Sequence, residues 1–197
     1  MSQVKFTYDL SNIKSSQVGL FTKAIISMEE VVNSIEFKDA LNAELALSNN
    51  LEGELSVFKV IRSAQVIVDM LSLKSFLDID TYYTSANVYG YGYSSDDIIR
   101  INTKYTNRYN INNEQDLKAL GRTLIHEISH NLGFKHDFKA TSRRKNSLSY
   151  VIGRAYEEAY DMLYIPFTLE RKTYCERSWK TLWLKNKCYT KTVKVYR

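Results

Sequence analysis

The residues best suited to chemistry are three histidines that lie within eleven positions of one another, His126, His130 and His136. They are the only histidines in the chain. If the segment around the first two is helical, residues four apart project about 40° from each other, one turn above the other. Two imidazoles placed in this way can reach the same ion. We therefore predict that His126 and His130 are ligands of a single metal.

A third ligand six residues beyond His130 requires the chain to change direction. Gly133 provides the means, because a residue free to adopt positive φ ends a helix in a left-handed cap and turns the next residues back. With His136, three imidazoles would bind one ion and leave a fourth position for water, which is typical of a catalytic zinc site rather than a structural one. We predict Zn²⁺, although nickel, cobalt and copper also bind three neutral nitrogens.

The acidic residue between the first two histidines has a separate predicted role. Glu127 follows His126 directly and so projects about 100° further round the helix, beside the metal rather than at it. We therefore predict that its carboxylate acts as a general base on a metal-activated water and does not hold the ion.

A helix over about residues 113–132 must position these groups. Asn112, followed three residues later by Gln115, resembles a capping box, and Glu114 and Asp116 place negative charge near the positive end of the helix dipole. Apolar residues then recur at helical spacing and predict a buried stripe on roughly the opposite side from the histidines. The stripe comprises Leu117, Leu120, Leu124, Ile125, Ile128 and Leu132.

The remaining elements are predicted from hydrophobic periodicity. Spacings of three and four indicate a helix over residues 17–34. Residues 54–71 favour a buried helix, and a hairpin also fits them. Residues 76–84 and 98–105 are predicted strands, separated by a loop at 89–97 that is marked by glycines and polar residues.

The twelve residues from His126 to Asp137, HEISHNLGFKHD, resemble the extended zinc motif HExxHxxGxxHD of the metzincin metallopeptidases. Phe134 after Gly133 makes the motif most similar to astacins, whereas an aliphatic residue there would look like matrixins. The resemblance implies a zincin-like α+β domain, with a small mixed sheet packed on helices, that hydrolyses peptide bonds. The resemblance extends over residues 76–137, because a strand leading into the predicted metal-binding helix matches the family's arrangement.

The family also has a methionine turn beneath its metal, and two segments compete for that position. Met162 has a tyrosine two residues later, as in astacins, but it follows residues 155–160, which favour a helix. Residues 147–150 lie where some members place the turn, yet they contain no methionine. The family's inhibitory pro-segment is not recognisable in this sequence.

Two other functions compete with the metzincin interpretation. In a gluzincin-like site, Glu157 would be the third ligand and Asp161, four residues beyond, would support it, which leaves Gly133 and His136 as coincidences. Alternatively, the chain could be a non-catalytic binding or structural protein that retains a metal site and uses its basic C-terminal tail as the working surface.

Composition and charge divide the chain at about residue 166. Residues 167–197 carry nine Lys or Arg against two Glu, so this tail has a net charge of +7 and residues 1–166 a net charge of −2. We predict a zincin-like domain over residues 1–166 with the basic, aromatic-rich element packed on it. Such an element could contact nucleic acid or an acidic surface, but a solvated terminal element is more common.

Localisation is predicted from the absence of targeting patterns. The N-terminus shows no basic cluster followed by an apolar run, and no stretch is apolar enough to span a membrane, so we expect a protein that is cytoplasmic or released without a signal peptide. Without export, Cys175 and Cys188 are more often free thiols, although the twelve residues between them also permit a bridged hairpin. The expected partner is a peptide or protein substrate, which we predict to pair by backbone hydrogen bonds with a strand at residues 98–103 that borders the cleft.

Overall fold

The computed structural model describes residues 3–47, 63–74, 76–93, 96–136, 146–177 and 186–196. The fold is α+β, as predicted, and it divides into two compact units, Met1–Leu163 and Tyr164–Arg197. None of the helices in the described ranges has the length and apolar character needed to cross a membrane.

The first unit contains most of the secondary structure. Its helices are α1 (Ser15–Asn33), α2 (Ile35–Leu47), α3 (Ala64–Leu73), α4 (Thr103–Thr106), α5 (Glu114–Asn131) and α6 (Leu148–Tyr164). Its strands are β1 (Thr7–Asp9), β2 (Phe76–Tyr82), β3 (Gly90–Tyr93) and β4 (Asp96–Asn102). The second unit is an antiparallel pair formed by β5 (Phe167–Arg177) and β6 (Asn186–Tyr196).

The four-stranded sheet has the order β1-β2-β4-β3, with β1, β2 and β4 parallel and β3 antiparallel to β4. Strand β4 is therefore paired on both sides. If residues 98–103 bordered the cleft and bound substrate by backbone hydrogen bonds, one side of β4 would have to be open, so that prediction is wrong. The strand at this edge of the sheet is β3.

Strand β3 occupies part of the segment predicted as a loop at 89–97, so the loop prediction is also wrong there. Glycine disfavours strands, but Gly90 and Gly92 alternate with tyrosines at the two-residue period of a strand. A β-carbon at Gly92 would overlap the carbonyl oxygen of Glu127, and one at Gly90 would lie 2.9 Å from the backbone oxygen of Arg100 in β4 and 3.0 Å from Cγ of Glu127. Gly92 is therefore required because β3 lies directly against α5, and Gly90 because it contacts both β4 and α5.

Strand β4 ends three residues earlier than the predicted strand at 98–105. Asn102 is fully buried and is the N-cap of the short helix α4. Its side chain accepts a hydrogen bond from the backbone N–H of Lys104. The same side chain donates to the backbone oxygens of Thr84 and Val88. Asn102 therefore fixes the connection that leads into β3.

Helix α5 agrees closely with the helix predicted over residues 113–132, but its cap is one residue later than predicted. Asn113, not Asn112, is the N-cap, and its side chain accepts from the N–H of Gln115. The predicted stripe is buried from Leu117 to Ile128, whereas Leu132 is half-buried. Helix α1 packs against α5 and agrees with the helix predicted over residues 17–34. Of the segment 54–71, residues 64–71 are helical and 54–62 lie outside the described residues.

Helix α6 lies antiparallel to α5. Near the start of α5, the hydroxyl of Tyr160 donates to the carboxylate of Glu114 at 2.6 Å. Near its end, the hydroxyl of Ser129 donates to that of Ser149 at 2.7 Å. The start of α6 is therefore held beside the histidines of α5.

Gly121 allows α5 and α6 to approach each other. A β-carbon there would lie 2.7 Å from Cζ of Tyr156, a fully buried ring that cannot move aside easily. We expect Gly121→Ala to lower the free energy of unfolding by about 1–3 kcal/mol, the usual cost of overpacking a core. Urea denaturation measures the change.

The matched control is Gly19→Ala in α1, where the added methyl would meet Ile111 at an ordinary 3.4 Å. Because alanine favours helix over glycine, this variant should be unchanged or up to about 1 kcal/mol more stable. Equal stability of the Gly121→Ala protein and the wild type would show that the helices are not in close contact at this point.

Candidate metal centre

The three predicted histidine ligands converge on one point. The Nε2 atom of His136 lies 3.2 Å from the Nε2 atoms of both His126 and His130. Among the described residues, these three are the group of His, Cys, Asp and Glu side chains that could hold a metal ion. His126 and His130 come from consecutive turns of α5, and His136 from the segment that follows the helix.

The return of the chain to the site depends on the end of α5. Gly133 has a φ of 98°, the left-handed conformation that its sequence position predicted. The N–H of Phe134 donates to the oxygen of Ser129, and the N–H of Gly133 donates to that of His130. This pair of bonds is a Schellman motif. Phe134 is fully buried, which anchors the turn that presents His136.

The surroundings keep two of the imidazoles neutral, with their Nε2 atoms directed to the centre. The Nδ1 atom of His130 lies 2.6 Å from the backbone oxygen of Phe134 and donates to it, so Nε2 is the unprotonated nitrogen of the neutral ring. The ring of His126 hydrogen-bonds to the backbone of Ser149. Burial, followed by the charges of His130 and His136, lowers the pKa of His126 to about 3, and burial also lowers the pKa of His130. Neutral imidazole is the form that binds metal.

Glu127 lies beside the histidines but is not one of the convergent group. Glu127 is only 5% exposed, because its side chain projects from α5 against the glycines of β3. Burial raises the pKa of Glu127 to about 8, and a hydrogen bond from the backbone N–H of Gly92 partly opposes that rise. The carboxyl group is thus held in one place, with a pKa near that of an acid–base catalyst working at neutral pH.

Sequence reasoning missed a contribution from the start of α6. The ring of Tyr150 packs edge-on against His126, with ring centres 4.8 Å apart, and lies 5.1 Å from His136. Tyr150 is the last residue of the segment 147–150, where some metzincins place their methionine turn. That position was the sequence feature that could have indicated a residue close to the histidines. In this protein, a tyrosine on a helix packs against the histidines there.

The residues predicted for the alternative sites do not lie at the three histidines. Glu157 forms an ion pair with Arg122 at 3.4 Å, and Asp161 pairs with Lys118 at 2.7 Å, so the gluzincin-like arrangement is not formed. Met162 lies in the last turns of α6 and is exposed, so it forms no methionine turn. Asp137 of the motif lies outside the described residues.

Three convergent imidazole nitrogens and one adjacent buried carboxyl group could bind a metal ion and move a proton beside it. No relative was found. Searches against protein-family models, curated proteins and solved structures all returned no match. The chemistry of the site must therefore be inferred from its own residues.

Proposed function

We propose that this protein is a zinc-dependent metalloendopeptidase with a zincin-like domain of the metzincin type. The observation that carries the proposal is the convergence of the three histidines, in which the Nε2 atom of His136 lies 3.2 Å from those of His126 and His130, next to the buried Glu127. The proposal also rests on the resemblance of residues 126–137 to the metzincin motif.

The donor set fits zinc. Nitrogens at about 2.0–2.1 Å from a tetrahedral ion are about 3.3 Å from each other, close to the separations that His136 makes with the other two rings. Three imidazoles leave one position of a tetrahedral ion open for water or substrate. Zinc bound in this way supplies a Lewis acid that lowers the pKa of water to about 7 and polarises a peptide carbonyl.

The protein's own contribution to hydrolysis is proton transfer and orientation. We assign to Glu127 the removal of a proton from the attacking water and its delivery to the leaving amine. The carboxyl group is held for this task by its burial and by the N–H of Gly92. Tyr150 packs on His126 and His136 and so limits the motion of both rings.

We assign substrate binding to strand β3 in place of β4. Strand β3 is at the edge of the sheet and lies against α5 beside Glu127. An extended peptide can add to a sheet edge through backbone hydrogen bonds, with neighbouring pockets providing specificity. This mode of binding would bring a scissile peptide bond to the carboxyl group.

Cleavage of a denatured protein by the purified chain tests the proposed function. We expect fragments to appear, cleavage to stop when a chelator removes the metal, and cleavage to return when zinc is added. If the zinc-loaded chain did not cleave but bound nucleic acid in a salt-sensitive manner, the non-catalytic alternative based on the basic tail would be correct.

The assignment of β3 predicts the effect of Gly92→Ala. The added methyl would overlap the carbonyl oxygen of Glu127 and force β3 away from α5. We expect zinc to stay bound while peptide turnover falls by about 10²-fold, the cost of displacing reacting groups by about 1 Å. Zinc content and turnover are measured on the same sample.

Gly153→Ala is the control for this variant, because its methyl would meet Arg122 at an ordinary 3.6 Å. That protein should retain normal turnover. If Gly92→Ala were as active as Gly153→Ala, the close approach of β3 to Glu127 would have no part in catalysis.

A further inference from the structure

The second unit brings the two cysteines of the chain together. Strands β5 and β6 pair in a continuous antiparallel register from Phe167 opposite Tyr196 to Arg177 opposite Asn186. In that register Cys175 is directly opposite Cys188. The sequence alone could not distinguish this arrangement from two separate thiols, because twelve residues between two cysteines do not fix a register.

The backbone geometry of this pair suits a disulfide. Directly opposed residues of an antiparallel ladder have Cα atoms about 4.5–5.5 Å apart, and a disulfide needs about 4.4–6.8 Å. Pair types alternate along the ladder, so Thr173 and Thr190, two positions away, form a pair of the same type as the cysteines. Their hydroxyl oxygens are 3.3 Å apart, which shows that opposed side chains of this type meet across the strands.

Two properties of the hairpin lower its stability and could be offset by a cross-link. A two-stranded hairpin is marginally stable by itself in water. The register also places Lys172 opposite Lys191, and like charges at opposed positions are destabilising. A covalent bond across the ladder would offset both effects by restricting the unpaired chain.

We propose that Cys175 and Cys188 form an intramolecular disulfide that holds β5 and β6 together, with a low-molecular-weight disulfide such as oxidised glutathione as the oxidant. One cysteine thiolate attacks the glutathione disulfide, forms a mixed disulfide and releases one glutathione thiol. The second cysteine then attacks the mixed disulfide and releases the other. The two cysteines are oxidised, one glutathione disulfide is reduced to two thiols, and two protons are released from the cysteines and taken up by the glutathione thiolates.

Equilibration of the full chain in glutathione buffers of graded ratio tests the proposal. The number of free thiols found by titration should fall from two per chain to none. Peptide mapping should show residues 175 and 188 joined within a monomer. The folded protein should be oxidised at glutathione ratios about a hundredfold more reducing than those needed in urea, which is the order of the entropic cost of closing a loop of this length in an unordered chain. Oxidation at the same ratio in urea, persistence of two free thiols or cross-linking between chains would overturn the proposal.

Two matched variants relate the result to the register. In a background with both cysteines changed to serine, Thr173→Cys with Thr190→Cys restores an opposed pair of the same type and should oxidise as readily as the native pair. Cys175→Ser with Tyr174→Cys shifts one cysteine by a single position, so that it no longer opposes Cys188. This shifted pair should oxidise no more readily when folded than in urea. Equal behaviour of the two variants would mean that the register does not govern disulfide formation.

Discussion

Replacing Glu127 with glutamine should lower peptide hydrolysis by about 10²-fold to 10⁴-fold while zinc and fold are retained. Glutamine keeps the size of the side chain and a hydrogen-bond acceptor for the N–H of Gly92, but it lacks the basic carboxylate. The fold should tolerate the change, because glutamine introduces no charge at a site that is 5% exposed. The loss should fall mainly on kcat, since proton transfer belongs to the transition state.

Zinc stoichiometry, melting temperature and peptide turnover measured on the same Glu127→Gln sample separate the possible roles. Near-normal turnover would show that the general base has been assigned to the wrong residue. Loss of zinc would instead make Glu127 a ligand or a support for one.

Changing His136 to alanine should remove the metal at neutral pH. The Nε2 atom of His136 is the one that lies 3.2 Å from both of the others, so its loss leaves two nitrogens on one helix face. Mutating a residue that only hydrogen-bonds to a metal ligand lowers metal affinity by roughly 10–100-fold. We expect the loss of the ligand His136 itself to lower zinc affinity by more than this. Competition with a chromogenic chelator measures the affinity.

Glu157→Ala is the matched control, because Glu157 is the ligand of the rejected gluzincin-like arrangement and pairs instead with Arg122. It should bind zinc with wild-type affinity. If Glu157→Ala lost the metal and His136→Ala retained it, the third ligand would have to be reassigned to α6.

The convergence of the three histidines could be predicted from sequence because their positions depend on local geometry. The spacing of His126 and His130 on a helix and the freedom of Gly133 to adopt positive φ are properties of a short segment, and the structure has both. The stripe from Leu117 to Ile128 followed from helical periodicity in the same way.

The sheet was harder to predict because pairing depends on residues far apart in sequence. The composition of β4 does not indicate whether the strand lies at the edge or in the interior of the sheet. Its partners β2 and β3 are determined by tertiary contacts. Gly90 and Gly92 resembled a loop because the helix that requires their small size begins more than twenty residues later.

The contribution of Tyr150 was also beyond the sequence. It reaches His126 because α6 lies antiparallel to α5, and that arrangement depends on residues such as Gly121, whose lack of a side chain leaves room for the ring of Tyr156 between the two helices. Helical periodicity predicts the buried face of each helix, but it does not predict which two helices come together.

X-ray absorption at the zinc edge tests the metal centre most directly. We predict one zinc per chain with three imidazole nitrogens and one oxygen ligand, all at about 2.0–2.1 Å. The His136→Ala protein, loaded with zinc at high concentration, should show one imidazole fewer. A spectrum with sulfur at about 2.3 Å, from Cys175 or Cys188, or a chain that binds no zinc, would contradict the assignment of the three histidines as a catalytic zinc site.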